Sequence, residues 1–303
     1  MTWFLLSILS TVLFSFTNFI DKYLISVKLS KLSSVSITAL AGIAGLPLLS
    51  IFTAIILGID KLPSVRTLVF GILASWFFMA GIQAYYYSLS QADTSIVASL
   101  FQLILPFNFI FGFVLFDELP SAIRLVGIIL ILCGSVLISI ERTAGKRVFH
   151  KKVLLYMLAA SLCISMSDVI FRIGTQQSHA VSVMFSEYLG TVLGGFMLIL
   201  VPSIRRQVFG AFRKHRASIL KITQINEAIN LAGILCMRTA LVLAPLVLVQ
   251  AALGTQPLVL ILVGALLTLL YPHKIQENIT RTQLRSKLLA GSIIVAGSVL
   301  LVL

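Results

Sequence analysis

Charge is what this sequence has least of. Only 11% of its residues are Asp, Glu, Lys or Arg, and the acids number ten in 303 positions; a soluble protein carries roughly a quarter. Apolar runs instead recur along the whole length, with no low-complexity linker and no room for a soluble domain, which excludes a globular protein with a single anchor. Cysteine is nearly missing: Cys133, Cys163 and Cys236 are far apart and all lie in apolar runs, so neither a disulfide framework nor a thiolate metal site is expected. The four histidines, His150, His179, His215 and His273, form no HExxH or comparable pair, so no metal is expected either. No P-loop or other nucleotide motif occurs, which excludes direct drive by ATP, and no cofactor is expected. Met1-Thr2-Trp3-Phe4 carries no basic n-region and no small-residue cleavage site follows, so the N-terminus reads as a retained first span.

What is present is apolar and basic. Ten apolar segments can be marked, at 3–23, 35–58, 68–89, 94–116, 123–140, 153–173, 181–201, 219–243, 246–270 and 288–303. A bilayer core offers no water to backbone amides, so each segment must satisfy its own backbone, and no alternating strand pattern competes with helix. The expectation is an all-α polytopic membrane protein with ten transmembrane helices. The formal net charge of +13 would suggest nucleic acid in a soluble chain. In this one it reads as loops facing an anionic cytoplasmic leaflet, with the lipid bilayer and not nucleic acid as the partner. Eighteen basic residues fall in the loops after segments one, five, seven and nine, against four after segments two, four and six. The three longer loops, 141–152, 203–221 and 271–287, are all basic. The charge bias places these odd-numbered loops in the cytoplasm and both termini outside, in a plasma membrane (the inner membrane, for a bacterium).

The segments also repeat. At an offset of about 150, Thr11, Ser15, Asn18 and Lys22 fall on Ser161, Ser165, Asp168 and Arg172. The shared spacing of four, three and four places each set on one helical face. Ala80-Gly81-Ile82 resembles Ala232-Gly233-Ile234, Pro106 resembles Pro257, and Gly134-Ser135-Val136-Leu137 returns letter for letter as Gly297-Ser298-Val299-Leu300. Two halves, 1–144 and 145–303, then hold five segments each. An odd number of crossings forces the second half to enter from the opposite side, giving two inverted five-helix repeats with a ligand site between them near the midplane.

These features resemble the EamA-like branch of the drug/metabolite transporter superfamily. The resemblance rests on the Ser15-Phe16-Thr17-Asn18 and Lys22 pattern, the Tyr-rich end of segment three leading to Ala92, Pro106, Asp117-Glu118-Leu119 before segment five, and the Gly127/Gly134 helix. It implies ten helices in two inverted halves. The second half is looser, with Pro272 and Glu277 standing where an acidic hinge belongs. The resemblance also implies cytoplasmic termini, opposite to the charge bias.

A charge at membrane depth costs about 2.5–3.5 kcal/mol on insertion scales and so needs a reason. Four lie well inside segments: Asp168, Glu187, Glu227 and Arg238. Glu227 clusters with Asn226 and Asn230, and Arg238 follows eleven residues later on the same side, about 16 Å along the axis and beyond direct pairing. Either Glu227 and Arg238 meet a substrate, or Arg238 pairs internally, for example with Glu187. Asp168, Glu187 and Glu227 are candidates for proton coupling, and Asp168 could instead pair with Arg172 one turn on. Asn18, Trp76, Gln83, Tyr85, Tyr86, Gln102 and Gln250 complete the candidate substrate-binding set with Asn226, Glu227, Asn230 and Arg238. Pro106, Pro257, Asp117 and Glu118 are candidate hinges, and Gly190 and Gly194 form a close-packing face.

The reading is not an enzyme but a secondary active transporter, an exporter or exchanger working by alternating access, with protons as the candidate coupling ion. Its partner is a small polar or amphipathic organic metabolite, amino-acid-like if Glu227 and Arg238 both meet it, and it acts as a monomer or homodimer. The alternative is an integral membrane enzyme or sensor for lipid-like ligands.

Overall fold

The apolar segments become helices, and the glycines and prolines within them decide where they break. The computed structural model describes residues 1–92, 97, 100–139, 151–270 and 281–303, and the described residues contain no strand. In order, the helices are α1 Thr2–Tyr23, α2 Ser34–Ala44, α3 Leu46–Gly58, α4 Val65–Gln91, α5 Ile104–Phe116, α6 Ala122–Ser139, α7 Lys151–Gln177, α8 Ala180–Ile199, α9 Pro202–Leu243, α10 Leu246–Leu253, α11 Gln256–Leu270 and α12 Arg281–Val302. Seven helical stretches among the described residues are long and apolar enough to cross a membrane. Three shorter apolar helices, Phe101–Phe116, Ala122–Gly134 and Leu289–Leu301, accompany them.

Three boundaries differ from the sequence expectation. The second segment is two helices, because Gly45 ends α2 and Pro47 sits in the first turn of α3. Residues 203–221, expected as a loop, instead form the first turns of α9. That helix is 42 residues long, or about 63 Å at 1.5 Å per residue, and its first half packs Ile204 and Val208 into the bundle core. α1 runs on through a π-helical turn, Leu24–Lys28. The candidate hinges do lie at interruptions. A 3-10 turn, Phe101–Leu103, precedes Pro106 in α5, and a break at Gly254 and Thr255 separates α10 from α11, where Pro257 is in the first turn. Asp117 ends α5 in the left-handed region at φ 53°. Pro272, Glu277 and the boundary at 144/145 lie outside the described residues.

Packing joins the two halves throughout: α1 lies on α9, α4 on α7 and α8, α2 on α8, and α6 on α12. Helices in lipid gain no hydrophobic drive from one another, so close contact must come from small residues and polar bonds. At the α6–α12 crossing, a Cβ on Gly127 would lie 2.7 Å from the Gly297 carbonyl oxygen, and one on Gly297 2.7 Å from the Gly127 oxygen. One step along the same seam, a Cβ on Gly134 would meet the Ala290 oxygen at 2.9 Å. Gly190 and Gly194 seat α8 on Ser75 and Met79 of α4.

Two cations close helix ends in parallel fashion. Lys22 Nζ donates to the carbonyls of Leu89 and Ala92, each at 2.8 Å, at the end of α4. Arg172 Nη1 donates to the carbonyls of Leu241 and Ala244, at 2.7 and 2.6 Å, at the end of α9. Both helices stop at an extended alanine, Ala92 and Ala244, and both cations satisfy carbonyls that have no partner within the helix.

Candidate functional site

The polar stripe of α1 faces inward. Thr11, Ser15, Asn18 and Asp21 recur at helical spacing, and all four are buried. α4 brings Tyr85 and Tyr86 against the end of this stripe, and α9 brings Asn226, Glu227 and Asn230. The Tyr85 hydroxyl donates to Asn18 Oδ1 at 2.6 Å, with Asp21 Oδ2 a second acceptor at 3.2 Å. Asn226 Nδ2 donates to Asp21 Oδ1 at 2.7 Å. Glu227 receives a long bond from the Tyr188 hydroxyl of α8 at 3.4 Å and is also hydrogen-bonded by Asn230.

These groups wall a cavity holding about 580 Å³ of space free of protein atoms, its mouth included. Its polar lining is Asp21, Thr38, Tyr85, Tyr86, Tyr188, Thr191, Asn226, Glu227 and Asn230, and Phe78, Met79, Ile82 and Ile234 supply apolar wall. A smaller space shares Asp21, Ala41, Tyr86, Asn226 and Glu227 and continues past Leu24 and Ile25 toward the π-helical turn. Among the described residues, neither lining contains Lys, Arg or His. Two buried polar atoms at the wall, Asn226 Oδ1 in the lining and Asn18 Nδ2 behind it, have no protein partner.

A second polar cluster lies about 16 Å further along α9 and is closed. Arg238 is fully buried; its Nε donates to Glu187 Oε2 at 2.9 Å, its Nη1 to Asp168 Oδ1 at 2.6 Å, and one Nη2 bond runs to Ser167 Oγ at 2.9 Å. A further Nη2 bond reaches Glu187 Oε1, and Asn108 Nδ2 donates to Asp168 Oδ2 at 3.0 Å. Ser165 in turn donates to Asn108. The guanidinium also lies 4.7 Å from the centroid of the Phe171 ring. Every oxygen of both carboxylates therefore accepts a hydrogen bond. Arg238, expected as a substrate ligand, does not line the cavity and pairs internally. Asp168 and Glu187, expected as proton-coupling groups, both pair with the same guanidinium. The alternative pairing of Asp168 with Arg172 is not formed.

Arg172 instead pairs with Glu118 at 2.6 Å, and Glu118 Oε2 also accepts from the Leu246 amide at 2.8 Å. Glu118 thus ties the α5–α6 loop to the start of α10, closing the end of the bundle nearest the triad. Sequence distance had hidden this partner.

Other expected ligands lie elsewhere. Trp76 is 44% exposed on the outer surface of α4, where an indole meets lipid and not the cavity. Gln83 is half-buried outside the lining, because α4 turns Ile82, Tyr85 and Tyr86 inward instead. Gln102 and Gln250 are buried near the α5–α10 crossing, Gln102 against Gly254, and neither lines the cavity. Asn18 stands one hydrogen bond behind the wall. Asp21, Tyr188, Thr38 and Phe78 were not anticipated. Asp21 could have been found as the continuation of the α1 stripe, three residues after Asn18. Tyr188 gave no signal beyond its place next to Glu187.

The EamA-like transporter family model matches residues 1–140. Matches to solved structures number 28. One of them, described only as the crystal structure of a protein, aligns over 98% of this chain and 95% of its own, with a TM-score of 0.56 at 17% identity, a likeness of fold alone. No curated protein matches the sequence.

Proposed function

We propose, from the match of residues 1–140 to the EamA-like transporter family and the helices long enough to cross a membrane, that this chain is a multi-pass membrane transporter of small substrates, a secondary active exporter or exchanger of a small polar organic metabolite. The cavity between α1, α4, α8 and α9 is its substrate site. One observation carries the reading: two buried carboxylates, Asp21 and Glu227, come from opposite halves of the chain to one cavity and have no basic partner in its wall. Unpaired charge at membrane depth is costly and marks a transport path.

Ten spans in two inverted halves account for the packing. α1 on α9 and α4 on α7 are then the same contact with the halves exchanged, and Lys22 on Leu89 and Ala92 is the counterpart of Arg172 on Leu241 and Ala244. Alternating access follows as rocking of one half against the other. The triad and the Glu118–Arg172 pair seal one end, and the cavity lies toward the other. Glu227, with neutral donors only, is the group through which a proton would couple. The membrane is a plasma membrane, with the basic odd-numbered loops cytoplasmic.

Solute flux into proteoliposomes containing only this protein tests the reading. Flux should require the protein and should fall at least tenfold in Glu227→Gln. Liposomes in which the folded protein moves no organic solute across broad metabolite classes would refute it.

A further inference from the structure

We infer that the transported molecule presents a cationic nitrogen to the Asp21–Glu227 cavity and has no carboxylate bound there. The inference rests on the transport reading above and adds the charge of the cargo. Four features converge on it.

First, the charges in the wall have one sign. Asp21 and Glu227 line the cavity, and no Lys, Arg or His does. The cation at comparable depth that might have received a carboxylate, Arg238, gives its donors to Asp168, Glu187 and Ser167. Lys22, next to Asp21 in sequence, directs its ammonium to the carbonyls of Leu89 and Ala92. An anion entering this cavity would meet two carboxylates and only neutral donors.

Second, the acceptors are under-used. Glu227 meets only neutral donors, Tyr188 at 3.4 Å and Asn230, and Asn226 Oδ1 is buried with no partner. Buried acceptors left in this state call for a donor that the protein does not supply. An ammonium group offers up to three such donors and a compensating charge.

Third, the neighbouring rings suit a cation. Phe78, Tyr86 and Tyr188 line the same space, and an aromatic face attracts an ammonium group. Fourth, Met79, Ile82 and Ile234 offer apolar wall to an organic body, which a bare metal ion would not use. With the carboxylate-binding group withdrawn into the triad, the amino-acid-like cargo of the sequence reading loses its second anchor.

Three probes share a ring and side chain and differ in charge: phenethylamine, phenylalanine and 3-phenylpropanoate. Thermal unfolding of the purified protein in detergent reports their binding by mass action. Phenethylamine should bind at least about tenfold more tightly than either of the others. Glu227→Gln and Asp21→Asn should each lose the phenethylamine shift, and Trp76→Ala, on the outer surface, should keep it. If either substituted site fails to fold, Tyr188→Phe, which removes only the hydroxyl at Glu227, should still alter amine affinity and leave sodium without effect. Phenylalanine or phenylpropanoate binding as tightly as the amine would overturn the inference and leave the transport reading standing. Stabilisation by sodium ions without any by the amine, or no amine shift at millimolar concentration, would also overturn it. Amine binding without amine flux in proteoliposomes would support the cation site and contradict the transport reading instead.

Discussion

Asn226 Nδ2 donates to Asp21 Oδ1 at 2.7 Å across 205 positions of sequence, and this bond joins the two halves of the chain at the cavity wall. It fixes which Asp21 oxygen is occupied and turns the other toward Tyr85. Asn226 is therefore a positioning residue. Asn226→Ala should weaken substrate affinity by about tenfold, the scale of one hydrogen bond to a charged group, while Asn226→Asp should abolish binding by setting a third carboxylate against Asp21. A binding isotherm for each variant checks this; equal affinities for the two would remove the positioning role.

The triad predicts an asymmetric stability pattern. Removing Arg238 alone leaves Asp168 and Glu187 buried and uncompensated, so Arg238→Met should cost about 3–5 kcal/mol or prevent folding. Neutralising all three, with Asp168→Asn and Glu187→Gln added, should recover most of that loss, because well-packed neutral groups often replace buried ion sets at little cost. Thermal unfolding in detergent distinguishes the two. A triple variant no more stable than the single one would show that the cluster is held by something other than charge balance.

Glu118 closes one end of the bundle by a local bond that can be read directly. Glu118→Gln loses the ion pair with Arg172 and weakens the acceptor for the Leu246 amide. Hydrogen exchange in the peptide beginning at Leu246 should speed up in this variant, while that of α4 stays unchanged. Uniform acceleration across both helices would mean global destabilisation and no local latch.

The glycine seam predicts a position-specific cost. Gly127→Ala and Gly297→Ala each drive a methyl group into a backbone oxygen at 2.7 Å, so each should cost about 1–3 kcal/mol. At Gly210 a Cβ meets nothing within 4 Å, and the site is helical, so Gly210→Ala should be neutral or stabilising by up to about 1 kcal/mol. Melting temperatures of the three variants check the contrast.

The helical segments were legible because hydrophobic length alone specifies them, and the breaks near Pro106 and Pro257 because proline disfavours helix continuation; the break at Pro47 was not read. The stripe Thr11, Ser15, Asn18 was legible from its spacing, and so was the cluster of Asn226, Glu227 and Asn230. What sequence could not supply was partnership. Arg238 and Glu227 share a helix face, yet one closes on Asp168 and Glu187 and the other opens on a cavity, a difference set by which helices α7 and α8 bring beside them. Asp21 was hidden by its neighbour. An acid next to Lys22 near the end of a segment reads as an interfacial pair, and only the π-helical extension to Lys28 carries the helix far enough to bury it. Trp76 and Gln83 failed because α4 is apolar on several sides, so no periodicity marked its inner face.

Alternating access is the core of the account, and Thr38 reports on it most directly, since it lines the cavity and is buried. A Thr38→Cys variant lacking Cys133, Cys163 and Cys236 can be exposed to a membrane-impermeant thiol reagent in sealed vesicles of either orientation. The account predicts labelling from both sides of the membrane, slowed from both by a bound substrate. Labelling from one side only, whatever the substrate or gradient, would contradict it.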